Sequence, residues 1–283
     1  MDRRLIGVLA LLLAAVALLV VRAAENPGLP GSAAPVALPG PPPVGSCLVV
    51  DTTVTVVECA EPHDAEVTAG TTIDDQAPSR SFCDAAAADY LPPIITGDGW
   101  QVPVDVQTAV LPAPEGQRSA DRGWRACTVR PESSERFTGS LRGMTLATFR
   151  DDVFGSCPAP SRSDRIPCSA AHPTELLGTT NLAYPDAQPT GAYFGIDNSA
   201  AALPDAVGAD LDHRCRTLAA TLTGNPDPTY GGRLTVRLEV DTVVPTDVPG
   251  TLQVCVSCAV DAPPGRWLTA SVIGLGTAPL PLG

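Results

Sequence analysis

Two His-x-x-Glu pairs, His63 with Glu66 and His172 with Glu175, are the residues best suited to chemistry, and each follows a cysteine, Cys59 or Cys168, by the same interval. On a helix, positions i and i+3 share a face and could hold a metal ion. Pro62 and Pro173 flank the histidines and β-rich sequence follows, so each segment is expected to be a turn entering a strand. Three-residue spacing in a strand sends the two side chains to opposite faces. A shared zinc site would need His63 and His172 close together, since His213 is the only other histidine. The expectation is therefore structural: His63, Glu66, His172 and Glu175 clamp their turns by hydrogen bonds to backbone, with no metal and no cofactor.

Other candidates are weaker. Cys255-Val-Ser-Cys258 has redox spacing, but a reactive first cysteine needs a helix N-terminus, and Leu252–Val254 and Ala259-Val260 read as strand. No Gly-x-Ser-x-Gly elbow and no phosphate-binding glycine loop occurs. Asp74-Asp75 and Asp151-Asp152 fall in turn or boundary contexts and read as solvated. Trp100, Trp124 and Trp267 are the main aromatic anchors, suited to a small core or to contact with a glycan or a partner protein. No catalytic residue is assigned.

The cysteines show how these residues are positioned. GSCLVVDTTVTVVECAEPHDAEVTAGTT (45–72) is echoed by GSCPAPSRSDRIPCSAAHPTELLGTT (155–180). Phe137-Thr-Gly-Ser140 and Leu268-Thr-Ala-Ser271 follow Cys127 and Cys258 by the same interval. This pattern predicts a duplicated unit. Four cysteines allow three pairings, but equivalent cysteines in two copies should pair alike. Cys47 and Cys59 end the arms of a hairpin, as do Cys157 and Cys168, within disulfide reach. Cys83 is then left for Cys127 and Cys215 for Cys258, each joining a helix to a strand. Cys255 is the expected free thiol, sharing a strand face with Gln253 and Ser257 and opposite to Cys258.

The 283 residues suffice for two domains. All 18 basic residues are arginine and the net charge is −13, with no basic stripe, which excludes a nucleic-acid partner. Nine cysteines in a repeated spacing point to an oxidising compartment. Arg3 and Arg4 precede Leu5–Val21, 17 residues without a charge. At ~1.5 Å per residue that run is just long enough to span a bilayer. The flanking arginines predict a cytoplasmic N-terminus and an exported remainder, with a cleaved signal peptide and a secreted product as the alternative. Residues 23–44 carry seven prolines and read as an extended linker.

The first module, 45–150, should contain strands at Leu48–Val50, Val54–Val57, Val67–Ile73, Val102–Leu111 and Trp124–Val129. Its helix should be Ser81–Leu91, capped by Ser81 and stopped by Pro92 and Pro93. The second module, 151–283, should carry a longer helix over Leu203–Leu222 with Leu211, Cys215, Leu218 and Leu222 on one face, then strands at Leu234–Val240, Leu252–Val256 and Leu268–Ile273. The expected fold is α+β: an N-terminal transmembrane helix, then two related disulfide-stapled modules, each a small, mostly antiparallel sheet with one helix.

Gly45-Ser-Cys47, Val57-Glu-Cys59-Ala-Glu-Pro-His63-Asp-Ala-Glu66-Val67, Cys83 with Tyr90, and Asp121-Arg122 ahead of Cys127 together resemble the septum-formation domain family of actinobacterial envelope proteins. That family's pattern runs Gly-Asp-Cys, Val-x-Cys-x-x-Pro-His-Asp-x-Glu-Val, a third cysteine, and Gly-Asp-Arg before a fourth. The resemblance covers 45–150 closely. It is thinner over 151–283, where Ala171 and Pro173 stand in place of the family's Pro and Asp. It implies an exported, membrane-tethered, non-enzymatic protein of the cell envelope linked to division. The partners expected are the membrane, through Leu5–Val21, and an envelope protein or glycan. The competing expectations are an envelope thiol–disulfide oxidoreductase using Cys255 and Cys258, and an exported metal-binding protein.

Overall fold

Two short runs rich in valine build the first hairpin, β1 (Cys47–Val50) and β2 (Val54–Val57), around the turn at Asp51–Thr53. The computed structural model describes residues 12–18, 40–72, 78–118, 123–133, 135–159, 165–185 and 203–283. Residues 12–18 are helical, α1, and form a unit apart from residues 40–283. Among the described residues no helix is long and apolar enough to cross a membrane. The rest of the expected span, 5–11 and 19–21, and nearly all of the linker lie outside the described residues.

The chain from Gly40 onward is α+β with antiparallel sheets. The first sheet has the order β2-β1-β3-β7-β6, with β3 (Ala65–Thr72), β6 (Val106–Pro112) and β7 (Trp124–Pro131). Helix α2 (Arg80–Tyr90) packs on it through Cys83, Ala87 and Tyr90. The helix begins one residue before the expected start, and its N-cap is Ser79, whose hydroxyl accepts from the Phe82 amide, rather than Ser81.

The second sheet has the order β11-β12-β10-β5-β4, with β4 (Ile94–Ile95), β5 (Gln101–Val102), β10 (Thr174–Tyr184), β11 (Thr235–Pro245) and β12 (Leu252–Asp261). Helix α5 (Asp205–Thr223) lies on its inner face through Leu211, Cys215, Leu218 and Leu222. The approach is close: a Cβ on Gly178 of β10 would stand 2.7 Å from Leu218. Gly178 also sits at a register shift against β12.

The remaining strands, β4 (Ile94–Ile95) and β5 (Gln101–Val102), come from the first half of the chain yet complete the second sheet, Gln101 pairing with Thr179. The edge strand expected over Val102–Leu111, with an interruption at Pro103, divides there, because Pro103 offers no amide to a ladder: Gln101–Val102 serves the second sheet, and Val106–Pro112 is an edge of the first. One buried cluster runs through both halves, from Tyr90, Trp100 and Phe137 to Phe154, Leu211 and Val254. Residues 40–283 form one compact unit, in which the segments 45–150 and 151–283 share that cluster. A smaller cluster of Leu48, Val67, Ala113, Trp124 and Ala126 lies on the first sheet.

Short elements finish the framework: α3 (Glu115–Arg118), α4 (Asp151–Phe154), and the two-residue strands β8 (Cys157–Pro158) and β9 (Arg165–Ile166). The expected strand over Leu268–Ile273 does not form. Leu268 alone makes bridges, to His172 and Leu282, because the chain leaves the ladder at once for a turn. Four disulfides join Cys47 to Cys59, Cys83 to Cys127, Cys157 to Cys168, and Cys215 to Cys258, with Cα separations of 5.2, 5.1, 5.3 and 5.4 Å. Two of them tie α2 to β7 and α5 to β12.

Candidate functional sites

Each His-x-x-Glu pair turns inward, contrary to the strand alternation expected of it. His63 forms a lone backbone bridge with Phe137, the chain bends at Asp64, and only then does β3 begin. In the second half His172 bridges Leu268 and the bend falls at Pro173. The bend breaks the two-residue period, so His and Glu meet: His63 Nε2 lies 3.7 Å from Glu66 Oε1, and His172 Nε2 lies 4.0 Å from Glu175 Oε2. All four residues are fully buried. The ring Nδ1 atoms reach the Glu61 and Ala170 carbonyls at 2.8 and 2.7 Å, closing the turns.

The carboxylates hold the loop that follows the fourth cysteine of each half. Glu66 accepts from the Leu141 amide at 2.6 Å, from the Ser140 hydroxyl at 3.0 Å and from the Tyr90 hydroxyl at 2.6 Å. Glu175 accepts from the Val272 amide at 2.8 Å and from the Ser271 hydroxyl. Burial pushes the Glu66 carboxyl up, but the adjacent His63 imidazole and the Tyr90, Leu141 and Ser140 donors outweigh it and hold the group below its ordinary 4.5. Burial, and then the Glu66 acceptor, drive the Tyr90 hydroxyl well above its usual range.

Tyr90, Ser140, Ser271 and Asp151 complete these sites; the sequence marks Tyr90 only beside Cys83, and Asp151, expected to be solvated, is instead half-buried. The serines had a signal, since they end the matched Phe-Thr-Gly-Ser and Leu-Thr-Ala-Ser segments. Asp151 is part of the second site only. Burial raises its carboxyl, the Ser271 hydroxyl opposes that, and the nearby Glu175 charge adds to it.

Ligand atoms of Cys47, His63 and Glu66 lie within 4.8 Å of one another, as do those of Cys157, Cys168 and Glu175. These cysteines are all tied in disulfides, which lack the thiolate charge that binds metal. No such group among the described residues joins His63 to His172. The redox arrangement is not assembled either: Cys258 is bonded to Cys215 on the buried face of β12, while Cys255 carries a free, half-buried thiol on the opposite face.

The outer face of the second sheet is the other feature with binding capacity. A cavity of about 450 Å³ opens there between Trp267, Pro173, Arg237, Glu239, Asp241 and Ser257. Trp267 is 38% exposed, whereas Trp100 and Trp124 are buried in the core. A second cavity of about 370 Å³ adjoins it, lined by Gln101, Thr179, Asn181, Asp241 and Cys255. Asp241 borders both. It stands at a register shift of β11 against β12, between Val240 and Thr242, a bulge that presents its side chain outward. Comparison with known proteins adds nothing to this geometry: no family model, no curated protein and no solved structure matches the chain.

Proposed function

We propose that this chain is a non-enzymatic binding protein of the cell envelope, anchored through Leu5–Val21 and working outside the cytoplasm at sites of septum formation. The observation that carries this reading is the open polar groove beside the half-exposed Trp267, set on a body cross-linked by four disulfides. Disulfides suit an exported, oxidised protein. A rigid sheet face that needs no ordering binds without the entropic penalty of a loop. The clamp carboxylates and the histidine Nδ1 atoms are committed to backbone and neighbouring hydroxyls, which supports a structural role rather than a reactive one.

The link to septum formation rests on the cysteine and Pro-His-Asp-x-Glu resemblance of residues 45–150. Duplication belongs to the same proposal. It is supported by the paired geometry of His63–Glu66 and His172–Glu175, each closing on a segment ending in serine. The test is co-sedimentation of the Gly40–Gly283 segment with isolated cell envelopes. Saturable retention that falls several-fold in Trp267→Ala supports the reading. No retention of the wild-type segment contradicts it.

A further inference from the structure

The groove on the second sheet has a chemical character that narrows its ligand, granted that it is the binding face. Along β12, Ala259, Ser257 and Cys255 follow one another on the outer side, so the two cavities lie in succession over about 13 Å at ~3.3 Å per residue. The groove therefore fits an elongated ligand of several repeating units rather than a single small molecule. Its walls offer hydroxyl, amide and carboxylate groups: Thr179, Asn181, Gln101, Ser257, Asp241 and Glu239. One aromatic face, Trp267, stands at one end.

Charge decides between ligand classes. Arg237 is held by Asp261, at 2.7 Å, and by Glu239. Arg165 faces Asp105 at 3.7 Å. Both cations in the groove are thus already neutralised. Asp241 is not: it accepts a hydrogen bond from the Ser257 hydroxyl and enters no ion pair among the described residues. An uncompensated carboxylate at the junction of the two cavities repels an anionic polymer and accepts from hydroxyl groups.

The floor of the groove offers nothing to a strand-forming peptide: β12 is paired on both sides, by β11 and β10, and β10 lies between β12 and β5. Strand addition would be confined to the outer edge of β11, beside the groove rather than over its floor. What the face presents is a row of hydroxyl, amide and carboxylate groups ending in an indole. We propose that the groove binds an uncharged oligosaccharide, with one sugar ring stacked on Trp267 and the hydroxyls of neighbouring units hydrogen-bonded to Asp241, Asn181 and Gln101.

The free thiol supplies the probe. Cys255 is the single free cysteine among the described residues and lines the second cavity, so occupancy of the groove should shield it. The experiment measures alkylation of Cys255 by iodoacetamide in the full-length protein, with and without neutral tetrasaccharides (cellotetraose and tetra-N-acetylchitotetraose), while following tryptophan emission. The expected result is saturable slowing of alkylation by one of them, with a matching change in emission from Trp267. Trp267→Ala should weaken that protection about tenfold, the loss expected when one aromatic stacking contact is removed. Phe82→Ala, on the first half and away from the groove, should keep full protection, which separates loss of the stacking face from loss of the fold. Asp241→Asn should weaken protection by the neutral sugar while making the groove more tolerant of an anionic one. Protection by oligogalacturonate or by a proline-rich peptide, with none from either neutral sugar, overturns the proposal. So does equal protection in Trp267→Ala and wild type. An envelope-retained protein that no neutral sugar shields loses this proposal but keeps its binding role; one that is not retained loses the binding role as well.

Discussion

The two halves hold their fourth-cysteine loops by the same device and differ in what surrounds it. In the first half Glu66 collects three donors, one of them the Tyr90 hydroxyl brought in by α2. In the second half Glu175 collects two, and the half-buried Asp151 stands beside it in place of a tyrosine. The first site is a satisfied anion in a ring of donors. The second is a crowded pair of carboxylates sharing Ser271. The proposed binding face follows the same asymmetry, lying over the second sheet beside Trp267 and Asp241. On that proposal a repeated device does not imply a repeated function: the first half stiffens, and the second both stiffens and presents.

The largest test of this difference is truncation of the two glutamates. Glu66→Ala strands two buried donors, the Leu141 amide and the Tyr90 hydroxyl, besides the Ser140 hydroxyl, and should cost ~3–4 kcal/mol, against ~2 for Glu175→Ala, which strands the buried Val272 amide and the Ser271 hydroxyl. Chemical denaturation of the two variants reads it, and equal losses would remove the distinction between the sites.

The glycines that open the two Gly-Ser-Cys segments give the next effect. A Cβ on Gly155 would lie 2.3 Å from the Asp151 carbonyl oxygen and 2.8 Å from the Cys168 sulfur. Gly155→Ala should therefore cost ~3 kcal/mol by overpacking against backbone. Gly45 has a positive φ of 90° but open space, with the Tyr90 hydroxyl no nearer than 3.8 Å. Gly45→Ala should cost ~1–2 kcal/mol through backbone strain alone. Thermal unfolding of the pair should preserve that order.

Much of this architecture could be read beforehand. The hairpin at Cys47–Cys59 followed from two valine-rich runs about a short polar turn, and the buried face of α5 from Leu211, Cys215, Leu218 and Leu222 at helical spacing. What could not be read depends on partners distant in sequence. Gln101 joins Thr179 in a bridge whose two sides look like separate modules. The inward turn of Glu66 needs a bend at Asp64 that strand periodicity does not encode. Tyr90 and Asp151 reach their carboxylate neighbours across 24 residues in each case, and no local pattern marks either one. Most of the apolar segment 5–21 falls outside the described residues, so the anchor stands on its arginine flank and length alone.

Acid should separate the halves by sign. The folded Glu66 carboxyl is depressed, so its contribution is present above 4.5 and is lost as pH falls through the folded value. The folded Asp151 carboxyl is raised, so its buried charge penalises the fold at neutral pH and is relieved as pH falls toward 3.8. Asp151→Asn should then stabilise at pH 7 by ~0.5–1 kcal/mol, allowing for solvent screening, and lose that advantage in acid. Glu66→Gln should be destabilised at pH 7 and approach wild type in acid. Denaturation midpoints across pH 3 to 7 would show both trends, and parallel curves for the two variants would contradict the assignment.

The smallest effect on stability attends the residue on which the functional reading depends. Trp267 is partly exposed, so Trp267→Ala should change stability by no more than ~0.5–1 kcal/mol. Phe82, on α2 of the first half, is 46% exposed and serves as the matched control. Envelope retention of the Gly40–Gly283 segment, measured side by side for wild type, Trp267→Ala and Phe82→Ala, tests the account most directly. The account predicts a several-fold loss for Trp267→Ala and none for Phe82→Ala. Loss confined to Phe82→Ala, or equal loss in both, would contradict it.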